Sequence, residues 1–437
     1  MILKDLYGKR VCIVGFGREG RSALNALKEK CEVTIADKNE KCETNLKCQT
    51  GENYLKHLEQ FDVIVKSPGV PPCTELDAVK DKITSGTALF LEEAQHTNHI
   101  VIAVTGSKGK STTASLIHHI LKTAEKRSVL LGNIGTPALE HLDDLKNSEP
   151  MYFVMELSSY QLMNITCSPH IAVITSFFPE HLDYHGSLEA YKEAKKNIAR
   201  FQKDGDVIFY ADTPKETQDI AKMSRGKHMP YDKKDVVSVI EDFGCQLLGE
   251  HNIHNIAGAW KVAHHLELPE ETTIQAIQSF APLPHRLEEI ETYDGIRWIN
   301  DSMSTTPEST IVAIEAFDGN IDTLILGGQD RGLDFTHLIE HIASSAIQTV
   351  ICLPGSGHRI ANDLKKANIH TIIVASLKEA IRHVLQKPLQ PITHNLQPIC
   401  LLSPASPSYN QFKNFEEKGA AFKKYITKYS PSLASSK

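Results

Sequence analysis

The chain has 437 residues, of which 41% are hydrophobic and 23% charged, with a formal net charge of −7. That length suggests two or three domains, each large enough to bury its own core. The acidic balance argues against nucleic acid or an anionic membrane as a partner, and no apolar run approaches the roughly 18 residues of a membrane span.

From the N-terminus, which lacks the apolar core of a signal peptide, Arg10 to Val14 reads as a strand. Gly15-Phe16-Gly17-Arg18-Glu19-Gly20 and a helical run through Leu24 and Leu27 follow it. A second strand, Val33 to Ala36, delivers Asp37 at the distance where a carboxylate can meet a ribose. This glycine pattern lets backbone approach a pyrophosphate but does not identify the ligand. It suits a nicotinamide-dependent oxidoreductase, and glycines serving only packing are the plain alternative. The next strand, Val63 to Val65, runs into Ser67-Pro68-Gly69-Val70-Pro71-Pro72, a turn whose free N–H groups could hold another anion. A domain boundary is expected near Glu92 or His96.

A β-branched run then ends in Thr105-Gly106-Ser107-Lys108-Gly109-Lys110-Ser111-Thr112-Thr113, followed by apolar residues at helical spacing. Strand, glycine loop and helix form a cradle for phosphate oxygens. Lys110 would reach the terminal phosphates and Ser111 would ligate Mg²⁺. The loop is short, with only Ser107 and Lys108 between Gly106 and Gly109. A tight turn carrying a solvated lysine is the bland alternative. Three polar insertions at the ends of apolar runs come next: Gly132-Asn133-Ile134-Gly135, Glu156 to Leu162, and Thr175 to Asp183. Glu156 and His181, at two strand ends, can share a metal with Ser111. Taken singly, Glu156 is as readily a helix N-terminal charge and His181 an exposed loop histidine.

Ser187 to Phe201 reads as a helix with an apolar stripe of Leu188, Tyr191 and Ile198, and Lys195 lies on that stripe. A lysine facing inward must lose its charge, find a partner or be modified; snorkelling to solvent is the reading that pattern alone favours. Asn252 and Asn255 share one helical face, where neutral amides suit a base or ribose or else cap a turn. Pro282-Leu283-Pro284-His285-Arg286 marks a linker into a further α/β unit. Its strands, Ile296–Ile299, Thr323–Leu326, Gln348–Leu353 and Ile399–Leu402, each end in a polar loop, alternate with helical runs at Glu308–Ala316 and Leu377–Gln386, and are expected to form a parallel sheet whose mouth closes over the phosphate loop. The tail from Pro431 to Lys437 is small and polar. Nine cysteines are scattered along the chain; Cys42 and Cys48 are the closest pair and lack zinc-site spacing, so free thiols in a reducing cytosol are expected.

Together these stretches resemble the Mur ligase family over nearly the whole chain. The resemblance rests on the shortened loop from Thr105 to Thr113, Glu156-Leu157-Ser158-Ser159-Tyr160-Gln161-Leu162, His181-Leu182-Asp183, Gly186-Ser187-Leu188-Glu189-Ala190-Tyr191, Leu283-Pro284-His285-Arg286, Asn300-Asp301-Ser302, Leu326-Gly327-Gly328 and Phe412-Lys413-Asn414-Phe415-Glu416. It implies three α/β domains: residues 1–92, Rossmann-like and binding a uridine nucleotide; 93–281, a P-loop ATPase-like parallel sheet; and 282–437, Rossmann-like, holding the incoming amino acid. It implies a cytoplasmic ligase of peptidoglycan precursor synthesis, acting as a monomer. ATP would phosphorylate the carboxylate of UDP-N-acetylmuramoyl-L-alanine, and D-glutamate would attack the acyl phosphate.

The resemblance also implies roles for residues. Gly106, Ser107, Lys108, Gly109, Lys110, Ser111, Thr112, Asn252, Asn255, Arg286 and Asp301 would bind ATP. Gly15, Phe16, Gly17, Arg18, Asp37, Lys38, Ser67, Gly69, Asn133 and His181 would bind the UDP substrate, and Thr305, Arg331, Ser408 and Phe415 the amino acid. Ser111, Glu156, His181 and a carbamylated Lys195 would hold two Mg²⁺ ions. Several positions depart from the family pattern: Lys108, Ser176 and Glu180, Met303 in place of a lysine, Arg331 in place of a lysine, and Pro407. These keep two alternatives open, a relative using L-glutamate or another amino acid, and a catalytically dead nucleotide-binding regulator.

Overall fold

The computed structural model describes residues 1–41, 44–290, 292–386 and 397–430. Cys42 and the tail from Pro431 lie outside these residues. Two compact units are seen: Met1–Cys245 with His251–Phe280, and a second comprising Gln246–Glu250 and the chain from Ala281. Among the described residues the strands form three sheets, so the chain is mixed α/β. No helix among the described residues is long and apolar enough to cross a membrane.

In the first unit, β1 (Arg10–Val14), β2 (Glu32–Asp37), β3 (Lys47–Thr50), β4 (Val63–Lys66) and β5 (Ile83–Thr84) make a parallel sheet in the order β3-β2-β1-β4-β5. The order reverses between β1 and β4, and the crevice beyond the carboxyl ends of strands at such a reversal is where ligands bind. Helix α1 (Arg18–Leu27) leaves the glycine loop after β1. The second sheet is also parallel, in the order β11-β10-β9-β6-β8-β7, built from β6 (Ile100–Thr105), β7 (Ser128–Gly132), β8 (Tyr152–Glu156), β9 (Ile171–Ile174), β10 (Val207–Ala211) and β11 (Lys227–Tyr231). Its central strands are apolar on both faces, as strands covered by helices on both sides must be. Helices α2 (Lys110–Thr123), α3 (Leu188–Arg200) and α4 (Glu250–His265) follow in chain order.

One core runs through both sheets of this unit, from Val11, Ile13 and Leu27 to Phe153, Met155 and Ile174. The helix Gly86–Ala94 joins them: Leu89, Phe90 and Leu91 are all fully buried, and the Phe90 ring meets Phe153 edge-on at 5.2 Å. Three successive buried apolar residues place this helix between neighbours rather than on the surface, with Glu92 and Glu93 at its partly exposed edge.

The second unit carries β12 (Glu288–Glu289), β13 (Arg297–Asn300), β14 (Thr323–Leu326), β15 (Thr349–Cys352), β16 (Thr371–Ile373) and β17 (Ile399–Leu402), ordered β12-β13-β17-β14-β15-β16. All pairs are parallel except β12 with β13, an antiparallel edge absent from the sequence reading. Apolar clusters cover both faces, and α5 (Phe415–Tyr429) adds Phe422 and Ile426 to one of them. Cysteines 12, 31, 73, 167, 245, 352 and 400 are free, but Cys48 is disulfide-bonded, which corrects the expectation of free thiols throughout.

Candidate active site

The loop after β6 is held by glycines that no other residue could replace. Gly106 has φ +152 and a Cβ there would lie 2.1 Å from Thr175 Oγ1; Gly109 has φ +85 and its Cβ would lie 2.2 Å from Asn255 Oδ1. Asn255 is thus pressed onto the loop, donating to Asn252 Oδ1 (2.9 Å) and accepting from Thr113 Oγ1 (3.4 Å). Lys110 opens α2, where the helix N-terminus favours anions, and its Nζ donates to Ser107 O at 2.7 Å. Ser111 follows it, and the buried Thr112 hydroxyl has no hydrogen-bond partner. Ser107 differs from expectation. Its Oγ lies 2.8 Å from Phe178 O and the Tyr191 hydroxyl and accepts from Phe178 N–H, so its side chain braces the loop.

Three of the departures from the family pattern are mutual partners. Lys108 Nζ pairs with Glu180 at 2.6 Å, and Ser176 Oγ both accepts from Lys108 N–H (2.8 Å) and donates to Lys108 O (2.9 Å).

Glu156 ends β8 and the segment bearing His181 follows β9, on either side of β6. Asn133 donates to Glu156 Oε1 at 2.7 Å, while the buried Glu156 Oε2 has no partner. His181 adopts φ +56 and stands 5.0 Å from the Tyr160 ring. Desolvation, reinforced by Lys110 and Lys195 and opposed by Glu180 and Asp183, lowers its pKa, favouring the neutral imidazole a metal requires. No group of three or more His, Cys, Asp or Glu side chains is arranged around a metal position among the described residues. The hydroxyl and the carboxylate are oxygen donors of the kind Mg²⁺ takes, alongside waters and phosphate oxygens, and the imidazole of His181 is the softer member of the set. The unpartnered Glu156 oxygen fits that role.

Lys195 does not snorkel. It is 1% exposed, with Nζ donating to Gly106 O (2.7 Å) and Thr105 Oγ1 (3.3 Å) and lying 4.9 Å from the Tyr191 ring centre. Burial, then the nearby Lys110 charge, holds its pKa well below that of an ordinary lysine. Ser187 caps this helix, accepting from Ala190 N–H at 3.1 Å.

At the first sheet's reversal point, Asp37 is already engaged by backbone: it accepts from Phe16 N–H (2.5 Å) and Asn39 N–H (2.8 Å), fixing the glycine loop. Gly15 and Gly17 flank Phe16 there, and Ser67 Oγ donates to Gly15 O at 2.7 Å, tying the β4 end to the same loop. Arg18 reaches Gly135 O (2.6 Å) and Gln161 reaches Glu19 (3.1 Å), so the glycine loop and the ends of β7 and β8 are joined within one unit. Lys38, exposed, pairs with exposed Glu52 and stands apart from this network. The free amides expected of the turn after β4 are fewer than supposed: Ser67 N–H goes to Val14 O and Val70 N–H to Ser67 O, leaving Gly69.

In the second unit, Asp301 is buried between Leu287 N–H (3.3 Å) and Ser403 Oγ–H (2.8 Å), and burial pushes its pKa up to about 6. Arg286 donates to Met303 Sδ at 3.0 Å, so the thioether occupies an arginine where a lysine would repel it. Thr305, Ser408 and Arg331 follow β13, β17 and β14, three adjacent parallel strands, so topology gathers them at one mouth. Ser408 is 2% exposed with an unpartnered hydroxyl, and Arg331 lies over the Tyr409 ring at 5.8 Å. Phe415 O accepts from Ser302 Oγ at 3.0 Å, anchoring the start of α5 to the loop after β13.

The sequence reading passed over three residues. Lys66 and Tyr184 meet at the turn after β4, and Lys418 is buried on α5 with Nζ on Gly327 O at 2.7 Å. Lys66 did leave a signal, a charge extending a fully buried strand; Tyr184 left none.

Residues 104–263 match the model of the Mur ligase middle domain and residues 285–393 that of the Mur ligase, glutamate ligase domain. A UDP-N-acetylmuramoyl-L-alanine--L-glutamate ligase of Salinispora tropica is 36% identical, covering 97% of this chain and 98% of its own length. A UDP-N-acetylmuramoylalanine--D-glutamate ligase of Ruminiclostridium cellulolyticum is 30% identical, with 97% of both chains covered. Among solved structures, the UDP-N-acetylmuramate-alanine ligase MurC of Thermotoga maritima shares the fold with a TM-score of 0.59 at 17% identity, covering 98% of this chain and 100% of its own. Matched by both domain models and by relatives of 30–36% identity over 97% of its length, this protein belongs to the Mur ligase family.

Proposed function

We propose that this chain is the ATP-dependent ligase that joins glutamate to UDP-N-acetylmuramoyl-L-alanine in cytoplasmic peptidoglycan precursor synthesis. The observation that carries the reading is the end-to-end match to relatives named for that reaction, at 30–36% identity. The residue assignments rest on the family pattern and are supported by the unpartnered oxygen of Glu156 beside the phosphate loop. Residues 1–92 would take the uridine nucleotide, 93–281 ATP, and 282–437 the amino acid.

In this reading the alanyl carboxylate attacks the terminal phosphate of ATP, ADP leaves, and an acyl phosphate forms. Two anions must approach each other, and Lys110 with the α2 N-terminus offsets their charge. Mg²⁺ on Ser111, Glu156 and His181 would neutralise phosphate charge, and a second ion would be held by Lys195 once CO₂ has converted its amine to a carbamate. Asn252, Asn255, Arg286 and Asp301 are the family's ATP positions. The glutamate amine then attacks the acyl phosphate, and the tetrahedral adduct collapses to amide and phosphate. Thr305, Arg331, Ser408 and Phe415 would hold the glutamate.

D-glutamate is the acceptor expected from sequence and the one in the Ruminiclostridium name. L-glutamate is favoured as a second reading by the greater identity to the Salinispora relative and by a Micromonospora relative of the same L-glutamate name, 34% identical with 97% of both chains covered. Met303 and Arg331 supply a physical reason, because Arg for Lys changes the geometry in which a carboxylate is gripped. Phosphate release from ATP with UDP-N-acetylmuramoyl-L-alanine, compared between the two enantiomers, decides. Release with one of them establishes the ligase and its stereochemistry; release with neither leaves a ligase for another amino acid, and, if no acceptor gives release, a nucleotide-binding regulator.

A further inference from the structure

We propose that Lys66 is the cation that receives the diphosphate of the nucleotide substrate, held in position by Tyr184. The inference rests on the nucleotide-binding reading of residues 1–92 and adds a residue that reading does not contain.

Lys66 is the last residue of β4, paired in register with Val14 at the end of β1. It therefore sits at the reversal point of the sheet, beside both turns that face the crevice. It is 4% exposed, yet among the described residues no carboxylate lies within ion-pair distance, and its one polar contact is the Tyr184 hydroxyl at 3.3 Å. A buried ammonium with three donors and a single long bond is costly unless an anion completes it. Tyr184 is placed for this. Its hydroxyl lies 2.7 Å from Pro68 O and 2.8 Å from Val70 O, donating its proton to one of them, which leaves the oxygen to accept from Lys66.

Much of the backbone around the crevice is already bonded within the fold. Gly15 N–H is bonded to Ala36 O, Phe16 N–H to Asp37, Ser67 N–H to Val14 O and Val70 N–H to Ser67 O, and Pro68 has none. Gly69 and the first turn of α1 remain. Lys66 adds a full positive charge to these partial charges, and it is the cation buried at that point. Burial lowers its pKa to about 8, so it stays mostly protonated at neutral pH.

The test is binding of UDP by calorimetry and of uridine by ligand-observed NMR, to the full chain and to Lys66→Met, Lys66→Arg and Tyr184→Phe. Lys66→Met is expected to weaken UDP by roughly 10- to 100-fold, as for a lost charged hydrogen bond, and to leave uridine unchanged. Lys66→Arg should keep UDP within a few-fold and Tyr184→Phe should fall between. Undiminished UDP binding by Lys66→Met, or equal losses for UDP and uridine, would overturn the role of Lys66 while sparing the nucleotide site. If Lys66→Met fails to fold, Lys66→Gln and Tyr184→Phe carry the same comparison. A wild-type chain that binds no UDP would bring down the nucleotide reading, and this inference with it.

Discussion

Lys110 and Lys195 reach the same glycine loop from opposite sides, each through a loop carbonyl, Ser107 O and Gly106 O. Their surroundings give them different chemistry. Lys110 stands at a helix N-terminus, where its charge is useful only to an incoming anion. Lys110→Ala should therefore cut phosphate release by roughly 10²–10³ or more while UDP affinity stays at the wild-type value; retained turnover would remove Lys110 from the site. Burial lowers the pKa of Lys195 and so favours its neutral form, and the neutral amine is the form that attacks CO₂. Lys195→Ala should lose activity, and formate or acetate, filling the space of the carbamate, should restore part of it. Full activity without either would make Lys195 a purely structural lysine. Helical spacing placed this lysine on the apolar stripe of α3, but its exit was not legible, because snorkelling depends on what covers the stripe. Tyr191 and the loop after β6 close that exit.

The strands legible in the sequence are those buried on both faces. Ile171–Ile174, Thr323–Leu326 and Ile399–Leu402 emerge with the bounds their apolar runs suggest, as does the helix Leu377–Gln386. Edge strands carry no such signal: β3 is Lys-Cys-Gln-Thr, and β11 contains Pro230, tolerated because an edge strand can forgo one ladder donor. The polar loops after β6, β8 and β9 were legible as strand ends, whereas the bonds among Lys108, Ser176 and Glu180 were not, since no spacing rule links residues in separate loops. These three make the phosphate loop and the post-β9 loop one element. A double-mutant cycle with Lys108→Asn and Glu180→Ala should give a coupling of about 0.2–1 kcal/mol, small because the lysine is half exposed and screened. A coupling of zero would mean that the hydrogen bonds of Ser176 and Phe178 join the loops without help from the ion pair.

Across the whole molecule, adjacency of strand ends is what converts scattered residues into sites, and the sheet orders that create it are not written in any local pattern. The same burial leaves a mark on stability. Lys66, Lys195 and Lys418 are all buried and all have lowered pKa values, Lys66 to about 8 and Lys418 to about 7. Between pH 7 and 10.5 the unfolded chain keeps the Lys418 proton that the folded chain has released, so raising the pH favours the folded state. Each such lysine adds at most about 1.4 kcal/mol per pH unit. Above pH 9 the thiols of Cys12, Cys167 and Cys352, held up to about 12 by burial, oppose the trend because they ionise first in the unfolded chain. Stability should therefore climb from pH 7 to 8.5. Trp298 is fully buried and 5.9 Å from Phe422 on the helix that carries Lys418, so its fluorescence in a Trp260→Phe background follows this unit through denaturation. Lys418→Met should flatten the climb seen by that probe by up to one proton's worth. An unchanged slope would mean that Lys418 keeps its proton in the fold, with the carbonyl of Gly327 stabilising the charge that burial disfavours.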